Sequence, residues 1–225
     1  MTSSETEHAG TSGKDLLIEL LWRIGAFQFG EFSEGNTSKN SPIFINTKQI
    51  ISSPNTLRTA AELVAAELEI LQTRRRQNLS DYHFLAGIPL GGLHLATALS
   101  LQIGKPLLYI RPPRIPSDLA EPPYLEGTYR PGQQALVVDD LATGGTSLRE
   151  TTITLRSLGI KVSDAIVLID REEGATKKME EFGVRVHALI TMSYLARRLI
   201  ENEHISEETY ELLQTYSDMQ KDKTL

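Results

Sequence analysis

The sequence predicts an α/β protein in which a parallel sheet is flanked by helices. From Tyr82 onward, short apolar runs alternate with amphipathic segments, which is the pattern of strands joined by right-handed helical crossovers. One apolar run, residues 135–138, leads directly into two carboxylates, a glycine-rich loop and a new helical segment. That order is typical of a strand whose carboxyl end contributes to a ligand site.

The individual elements follow from the positions of the apolar residues along the chain. We expect residues 1–13 to form a disordered polar tail, followed by one domain over residues 14–225 that ends in helices from about residue 192. Residues 27–46 mix Gly, Asn, Ser and Phe and predict a loop with short strands, whereas residues 112–130 are Pro-rich and lack periodicity. Helical spacing predicts helices at residues 15–24, 56–72, 92–102, 147–157, 193–201 and 206–219, and residues 177–182 are expected to end a further short helix. Apolar runs predict strands at residues 82–87, 106–111, 135–139, 162–170 and 184–189.

Composition excludes several classes of function. A chain of 225 residues suits one α/β domain with extra elements, and its net charge of −6 argues against a nucleic-acid partner. The chain has no cysteine, which excludes disulfides, a thiol nucleophile and a cysteine-based zinc site. The amino terminus does not resemble a signal peptide and no apolar run has membrane-spanning length, so we expect a cytoplasmic protein with no membrane partner.

The stretch from Asp139 to Ser147 carries the clearest chemistry. Asp139 and Asp140 end the predicted strand, and a turn of small residues, Thr-Gly-Gly-Thr-Ser, leads into the next helix. Such a turn presents backbone N–H groups to an anion, which the helix dipole also favours. Carboxylates repel phosphate, so they suit sugar hydroxyls, a magnesium ion or a developing positive charge beside it. A phosphorylated ribose can provide the hydroxyls, the bound magnesium and the developing charge. The alternative is an ordinary strand–turn–helix with no ligand.

This stretch resembles the phosphoribosyl pyrophosphate signature of the type I phosphoribosyltransferases. The resemblance implies the parallel sheet of that family, flanked by helices and carrying a small N-terminal hood. A second run, Asp-Arg-Glu-Glu-Gly at residues 170–174, resembles the orotate phosphoribosyltransferase branch, in which the arginine contacts the orotate ring. The guanidinium of Arg171 would match the carboxylate or carbonyl pair of that base. The alternative is a surface arginine paired with Glu172 or Glu173.

Two further segments are similar to the family in the expected order. Residues 41–46 resemble the family's run near the base site, and Phe44 keeps one of its aromatic residues. The alternative is that Phe44 is simply a residue of the hydrophobic core. Residues 86–92, which include Gly91, resemble its pyrophosphate loop, in which small residues let backbone N–H groups approach an anion. The resemblance covers roughly residues 15–200.

The chain departs from the family in its basic residues. Arg111 is kept, but the lysine that usually follows it is Pro112, and the histidine of the family's mobile loop is missing. Arg114 supplies one positive charge there. The family's Leu-Lys-Ser-Gly lysine becomes Asn36, with Lys39 nearby. Removal of one donor that stabilises developing charge typically costs about 10²–10³ in turnover. These losses therefore predict a chain that is slow, that uses a different loop, or that has stopped catalysing.

The resemblance implies transfer of the 5-phosphoribosyl group from phosphoribosyl pyrophosphate to orotate, giving orotidine 5′-phosphate and pyrophosphate in pyrimidine nucleotide biosynthesis. It implies Mg²⁺ as cofactor, held mainly by the substrate rather than by side chains, and a homodimer. The implied catalytic residues are Asp139, Asp140, Arg111 and Arg114. The implied donor-binding residues are Asp139, Asp140, Leu141, Ala142, Thr143, Gly144, Gly145, Thr146, Ser147, Arg111, Gly91 and Lys39. The implied orotate-binding residues are Thr143, Arg171 and Phe44.

Two other functions stay open from the sequence. One is a phosphoribosyltransferase that acts on a different base. The other is a non-catalytic protein that binds phosphoribosyl pyrophosphate as a regulator, because such a protein needs the Asp139–Ser147 stretch but tolerates the altered basic loop.

Overall fold

The structure, a computed structural model, describes residues 12–34, 38–73, 78–111 and 125–222. A short 3₁₀ helix, Thr47–Ser52, connects the N-terminal strands to the remainder of the fold. The strands are β1 (Phe27–Glu34), β2 (Ser38–Ile45), β3 (Phe84–Gly87), β4 (Leu107–Ile110), β5 (Leu125–Glu126), β6 (Gln134–Ala142), β7 (Lys161–Asp170) and β8 (Arg185–Thr191). The helices are α1 (Gly13–Arg23), α2 (Pro54–Thr73), α3 (Gly91–Ile103), α4 (Thr146–Ser157), α5 (Ala175–Glu181), α6 (Met192–Glu201) and α7 (Glu207–Asp222).

A six-stranded sheet with the strand order β5-β4-β3-β6-β7-β8 forms the centre of the fold. Every neighbouring pair is parallel except β4 and β5, which run antiparallel at one edge. The predicted parallel α/β class is therefore confirmed. Because β6 lies between β3 and β7, its carboxyl end opens beside the start of α3 on one side and the turn after β7 on the other.

Helices cover both faces of this sheet, as a parallel sheet requires. On one face, α1, α2, α3 and α6 bury a large apolar core that includes Leu17, Leu68 and Leu195. On the other face, α4 and α5 bury a second core that includes Leu155 and Met179. The rim formed by the carboxyl ends of the strands is held between these two layers.

The N-terminal hood is a separate two-stranded antiparallel sheet made by β1 and β2. Ile43 and Ile45 are buried while Phe44 between them is only partly buried, which is the alternation expected of a strand with one face on the core. Each strand has eight residues, so both are longer than the short strands expected within residues 27–46.

Three predicted boundaries are corrected by the structure. Ser12 and Asp15 form a capping box, so α1 begins at Gly13, inside the predicted disordered tail; residues 1–11 of that tail lie outside the described residues. The strand predicted at residues 135–139 continues to Ala142, because β6 stays paired with β7 up to the Ala142 and Asp170 partners. The Pro-rich segment contains strand β5 at its end, while residues 112–124 lie outside the described residues.

No helix within the described part of the chain is long and apolar enough to cross a membrane.

Candidate active site

An acid pair, Asp139 and Asp140, lies near the carboxyl end of the central strand β6. Both residues are buried, at 6% and 8% exposure. The backbone N–H of Asp140 donates a hydrogen bond to Oδ1 of Asp139 at 2.9 Å. Burial and the adjacent charge of Asp140 raise the pKa of Asp139 well above its ordinary value, against the opposing effect of the Lys48 ammonium. A carboxyl with a raised pKa at the carboxyl edge of a parallel sheet is typical of a functional site.

Asp140 is held from two sides. On one side, the hydroxyl of Thr47 in the 3₁₀ helix donates a hydrogen bond to Oδ2 of Asp140. On the other side lies Gly91 at the start of α3, where a Cβ atom would overlap the Asp140 carboxylate. The acid pair therefore packs directly against the loop that resembles the family's pyrophosphate loop.

The two glycines that start α3 are required by this close packing. A Cβ atom on Gly92 would lie 2.7 Å from the Cα atom of Asp139, which is backbone and has no room to move away. Gly87, at the end of β3, is equally confined, because a Cβ there would lie 2.9 Å from the Cβ of Ala96. These residues let helix α3 approach β6 closely enough to place its first N–H groups beside the acid pair.

The predicted phosphate loop connects β6 to α4. Gly145 adopts a left-handed backbone conformation with φ of 81°, and a Cβ there would lie 3.3 Å from the Cα of Ala175, so glycine is needed for two reasons. The N–H of Ala175 donates to the carbonyl of Thr143 at 3.1 Å and ties the loop to α5. No side chain caps the first turn of α4, which leaves its N–H groups pointing from the amino end of the helix dipole. The structure thus brings residues 139–147 together as one cradle, in which the acid pair is followed by a turn whose uncapped N–H groups have the arrangement that an anion would need.

Arg171 lies in the turn after β7, on the same rim. Asp170 shapes this turn by accepting the Glu172 N–H at 2.9 Å, and Glu172 takes a left-handed conformation with φ of 59°. Arg171 as a whole is 2% exposed, and its Nε donates to Oε1 of Glu173 at 2.7 Å. The alternative of an exposed arginine is therefore wrong, because Arg171 is buried. The ion pair with Glu173 that the same alternative expected is present.

The same guanidinium connects the rim to the hood. Nη2 of Arg171 donates to Oγ of Ser41 at 2.7 Å, and Ser41 in turn donates to the carbonyl of Ile43 at 2.8 Å. Phe44, the predicted aromatic neighbour of the base, is only partly buried and packs its ring against Phe32 with centroids 5.7 Å apart. The hood thus contributes to the same side of the site as Arg171.

Of the other basic residues predicted for the site, the structure describes the side chain of Arg111 alone. Arg111 follows β4 and forms an ion pair with Glu126 of β5. Arg114 and Asn36 lie outside the described residues, as does the side chain of Lys39. Within the described ranges no three or more His, Cys, Asp or Glu side chains come together in a way that could hold a metal ion.

Sequence reasoning did not single out Thr47, Lys48 or Ser41 as site residues. Thr47 and Lys48 lie just after the segment of residues 41–46 that does resemble the family. The only signal in the sequence was this adjacency, because the partner of Thr47 is 93 residues away in the chain.

The comparison with known proteins agrees with this geometry. A family model described as "Phosphoribosyl transferase domain" matches residues 47–189, a span that runs from the 3₁₀ helix to β8 and includes the acid pair. The fold and the cradle therefore define a protein of the phosphoribosyltransferase class.

Similar individual proteins narrow this class. Orotate phosphoribosyltransferase of Pyrococcus horikoshii is 35% identical over 182 residues, covering 81% of this chain and 92% of the relative. The enzyme of the same name from Caenorhabditis elegans is 32% identical over 191 residues, covering 85% and 80% of the two chains. Among solved structures, orotate phosphoribosyltransferase from Aeropyrum pernix has a TM-score of 0.66 at 30% identity, covering 81% of this chain and 98% of that one. The chain belongs to the orotate phosphoribosyltransferase family.

Longer relatives contain a comparable part. Bovine uridine 5′-monophosphate synthase is 30% identical over 200 residues, which cover 89% of this chain but only 40% of that protein. The structure of Leishmania donovani UMP synthase gives a TM-score of 0.78 at 25% identity, with 92% of this chain and 43% of that chain covered. The chain thus spans less than half the length of these synthases.

Proposed function

We propose that this protein transfers the 5-phosphoribosyl group from phosphoribosyl pyrophosphate to orotate, forming orotidine 5′-phosphate and pyrophosphate. One observation carries the proposal: the acid pair, the uncapped start of α4 and the buried Arg171 lie on a single rim of the sheet. A phosphate, a ribose and an anionic base need these three kinds of group side by side.

The donor is proposed to bind with its 5′-phosphate at the start of α4. Backbone N–H groups and the hydroxyls of residues 143–147 would hold the phosphate oxygens. Asp139 and Asp140 would accept hydrogen bonds from the ribose hydroxyls, and their negative charge would stabilise the positive charge that develops on the ribosyl group as the diphosphate leaves. No covalent nucleophile is needed, since the orotate nitrogen attacks the ribose carbon directly.

The donor is proposed to arrive as its magnesium complex. Diphosphate and ribose oxygens are hard ligands of the kind that Mg²⁺ prefers, and Mg²⁺ commonly keeps few protein ligands when a substrate phosphate is present. The metal would supply neutralisation of the leaving diphosphate. Among the described residues, the backbone at the start of α3, beside the acid pair, and Arg111 would also contribute there.

Arg171 is proposed to orient orotate. Glu173 and Ser41 fix the guanidinium from two directions, so little rotational freedom remains to be lost when an anionic base binds. Phe44 from the hood is the proposed aromatic neighbour, and Thr143 is the proposed contact from the phosphate loop.

A turnover assay tests this function. We expect the protein, given orotate, phosphoribosyl pyrophosphate and magnesium, to consume the ultraviolet absorbance of orotate, and to lose this activity on removal of magnesium. The double variant Arg171→Gln with Glu173→Gln removes both charges of the buried pair and so avoids leaving one charge unpaired. We expect it to keep donor binding by calorimetry but to lose orotate turnover. Donor binding without turnover by the unaltered protein would instead indicate another base or a regulator.

The proposed assembly is a homodimer and the proposed location is the cytoplasm. Leu101 on α3 is 83% exposed and Leu90 just before α3 is 61% exposed, which supports an apolar contact between copies. Light scattering coupled to gel filtration tests the dimer, with Leu101→Glu expected to dissociate it. Fractionation of the producing cell tests the location.

A further inference from the structure

The 3₁₀ helix that follows the hood occupies a central place in the site. It packs against both β6, which carries the acid pair, and α3, whose first residues form the proposed diphosphate loop. Its first two residues, Thr47 and Lys48, therefore lie where the donor's ribose and diphosphate would meet.

Thr47 anchors this helix to the acid pair. The residue is 1% exposed, and its hydroxyl donates to Oδ2 of Asp140, a carboxylate confined on its other side by Gly91. A buried hydrogen bond to a charged group is among the stronger polar interactions in a fold, so it fixes the start of the helix relative to β6.

Lys48, the next residue, is exposed, whereas Thr47 is buried. The Lys48 ammonium is therefore accessible to solvent rather than enclosed in the core. Its charge acts on Asp139, where it opposes the rise in pKa that burial causes. Among the described residues Lys48 forms no salt bridge, whereas Arg111 pairs with Glu126 and Arg171 pairs with Glu173.

A donor that carries a phosphate and a diphosphate needs cations beside the acid pair, because two carboxylates alone would repel it. At two positions where the resemblance implies lysines, this chain has Pro112 and Asn36, so it carries fewer cations in those positions. We propose that Lys48 binds the diphosphate of phosphoribosyl pyrophosphate, and that Thr47, through Asp140, is the positioning residue that holds it over the acid pair. This inference rests on the proposed function, because it takes the donor as the ligand.

Calorimetry of the full chain with the magnesium complex of phosphoribosyl pyrophosphate, and separately with magnesium diphosphate, tests the role of Lys48. Lys48→Met keeps the length of the side chain and removes its charge, and Lys48→Arg restores a charge. Lys161→Met, at the amino end of β7 and exposed, is the matched control. We expect Lys48→Met to weaken both ligands about 10- to 100-fold, as for loss of one charged hydrogen bond, and the other two variants to bind nearly as the unaltered protein does.

The outcomes separate the inference from the proposed function. Turnover of orotate with unchanged ligand affinity in Lys48→Met would overturn the role of Lys48 and leave the function standing. Weakening of phosphoribosyl pyrophosphate alone, with diphosphate unaffected, would overturn the assignment to the diphosphate. Absence of donor binding in the unaltered protein would overturn both.

A second pair of variants tests Thr47. Thr47→Val removes the hydroxyl at nearly constant volume, and Thr47→Ser keeps it. We expect Thr47→Val to raise the dissociation constant for magnesium diphosphate several-fold and Thr47→Ser to restore it. We also expect the combination of Thr47→Val with Lys48→Met to be little weaker than Lys48→Met alone, since both act through the same ammonium. Full additivity of the two losses would show that Thr47 only supports the fold.

Discussion

Arg171 and Glu173 form an ion pair whose two side chains are each only 1% exposed, with Nε of the arginine 2.7 Å from Oε1 of the glutamate. Desolvation makes such a pair a weak source of net stability, but it makes the loss of either partner expensive. Tyr216 of α7 also donates to the same glutamate oxygen at 3.4 Å, so the C-terminal helix reaches the base side of the site. The pair therefore fixes the guanidinium that we propose for orotate, at some expense in stability.

Glu173→Gln is expected to weaken both folding and orotate binding. The amide can still accept a hydrogen bond, but the buried guanidinium loses its counter-charge, and breaking a buried pair from one side typically costs about 3–5 kcal/mol. We expect a loss of about 2–4 kcal/mol in urea unfolding and a several-fold higher KM for orotate, with the KM for the donor little changed.

The control for that variant is Glu180→Gln on α5, where the glutamate is exposed. Surface substitutions away from special features usually change stability by less than about 0.5 kcal/mol. Equal KM values for orotate in the two variants would contradict the positioning role of Glu173.

Gly91→Ala is expected to disable donor binding. A Cβ atom at residue 91 would overlap the Asp140 carboxylate, which is itself held by Thr47, so the acid pair or the start of α3 must move. Since small displacements of positioned groups are costly in catalysis, we expect a fall in kcat/KM of at least about 10²-fold. Steady-state kinetics with both substrates checks this expectation.

Gly104→Ala is the matched control for this change. Gly104 ends the same helix with φ of 65°, and a Cβ there meets nothing within 4 Å. It should lose about 1 kcal/mol or slightly more in stability from backbone strain, with normal kinetics. Impaired kinetics of the same size in both variants would show that the effect comes from helix destabilisation.

Much of the fold was accessible from local patterns. The alternation of apolar runs and amphipathic segments predicts the parallel sheet, because each pattern depends only on residues near one another in the chain. The cradle at residues 139–147 was equally local, since strand, carboxylates, glycine turn and helix start are consecutive. The length of β6 was underestimated because two adjacent carboxylates look like the end of a buried strand, whereas continued pairing with β7 keeps them within it.

The features that could not be predicted from the sequence are contacts between residues far apart in the chain. Nothing near Thr47 indicates that its hydroxyl meets Asp140, because hydrogen bonds across 93 residues leave no periodic signal. Arg171 followed by two glutamates is compatible with either a surface or a buried pair, and only the covering by β2 and α7 makes it buried. Likewise the two-residue strand β5 is too short to give an apolar pattern and depends on the neighbouring edge of β4.

Asp139 is expected to set an acid limit on donor binding while lowering stability. Burial and the charge of Asp140 raise its pKa. The ionised form accepts stronger hydrogen bonds from ribose hydroxyls than the protonated form does, so donor affinity should fall as the pH falls through that raised pKa. The folded state also binds this proton more tightly than the unfolded state, so Asp139 destabilises the fold at neutral pH and this penalty disappears as the pH falls.

Asp139→Asn should therefore separate the two effects. We expect turnover about 10²–10³-fold lower, a donor affinity that no longer changes over the same pH range, and a more stable fold at neutral pH. Kinetics, calorimetry and urea unfolding across the acid range give the three values. A destabilised variant, or a persisting acid limit, would contradict the assignment of the raised pKa to Asp139.

Asp164 is expected to behave in the opposite way, as a stabilising carboxylate remote from the site. Burial alone would raise its pKa, but hydrogen bonds from His187, Ser80 and Arg185 outweigh burial and lower it. A lowered pKa in the folded state gives stability that is present above the unfolded-state pKa and is lost as the pH falls through the folded-state pKa. Asp164→Asn should lower the free energy of unfolding by about 1–3 kcal/mol at neutral pH, and its stability should fall less steeply in acid. Orotate turnover should stay normal. Asp81→Asn, at an exposed residue, is the control and should change none of these quantities. Urea unfolding of the three proteins between neutral and acid pH measures this, and parallel acid curves for Asp164→Asn and the unaltered chain would refute it.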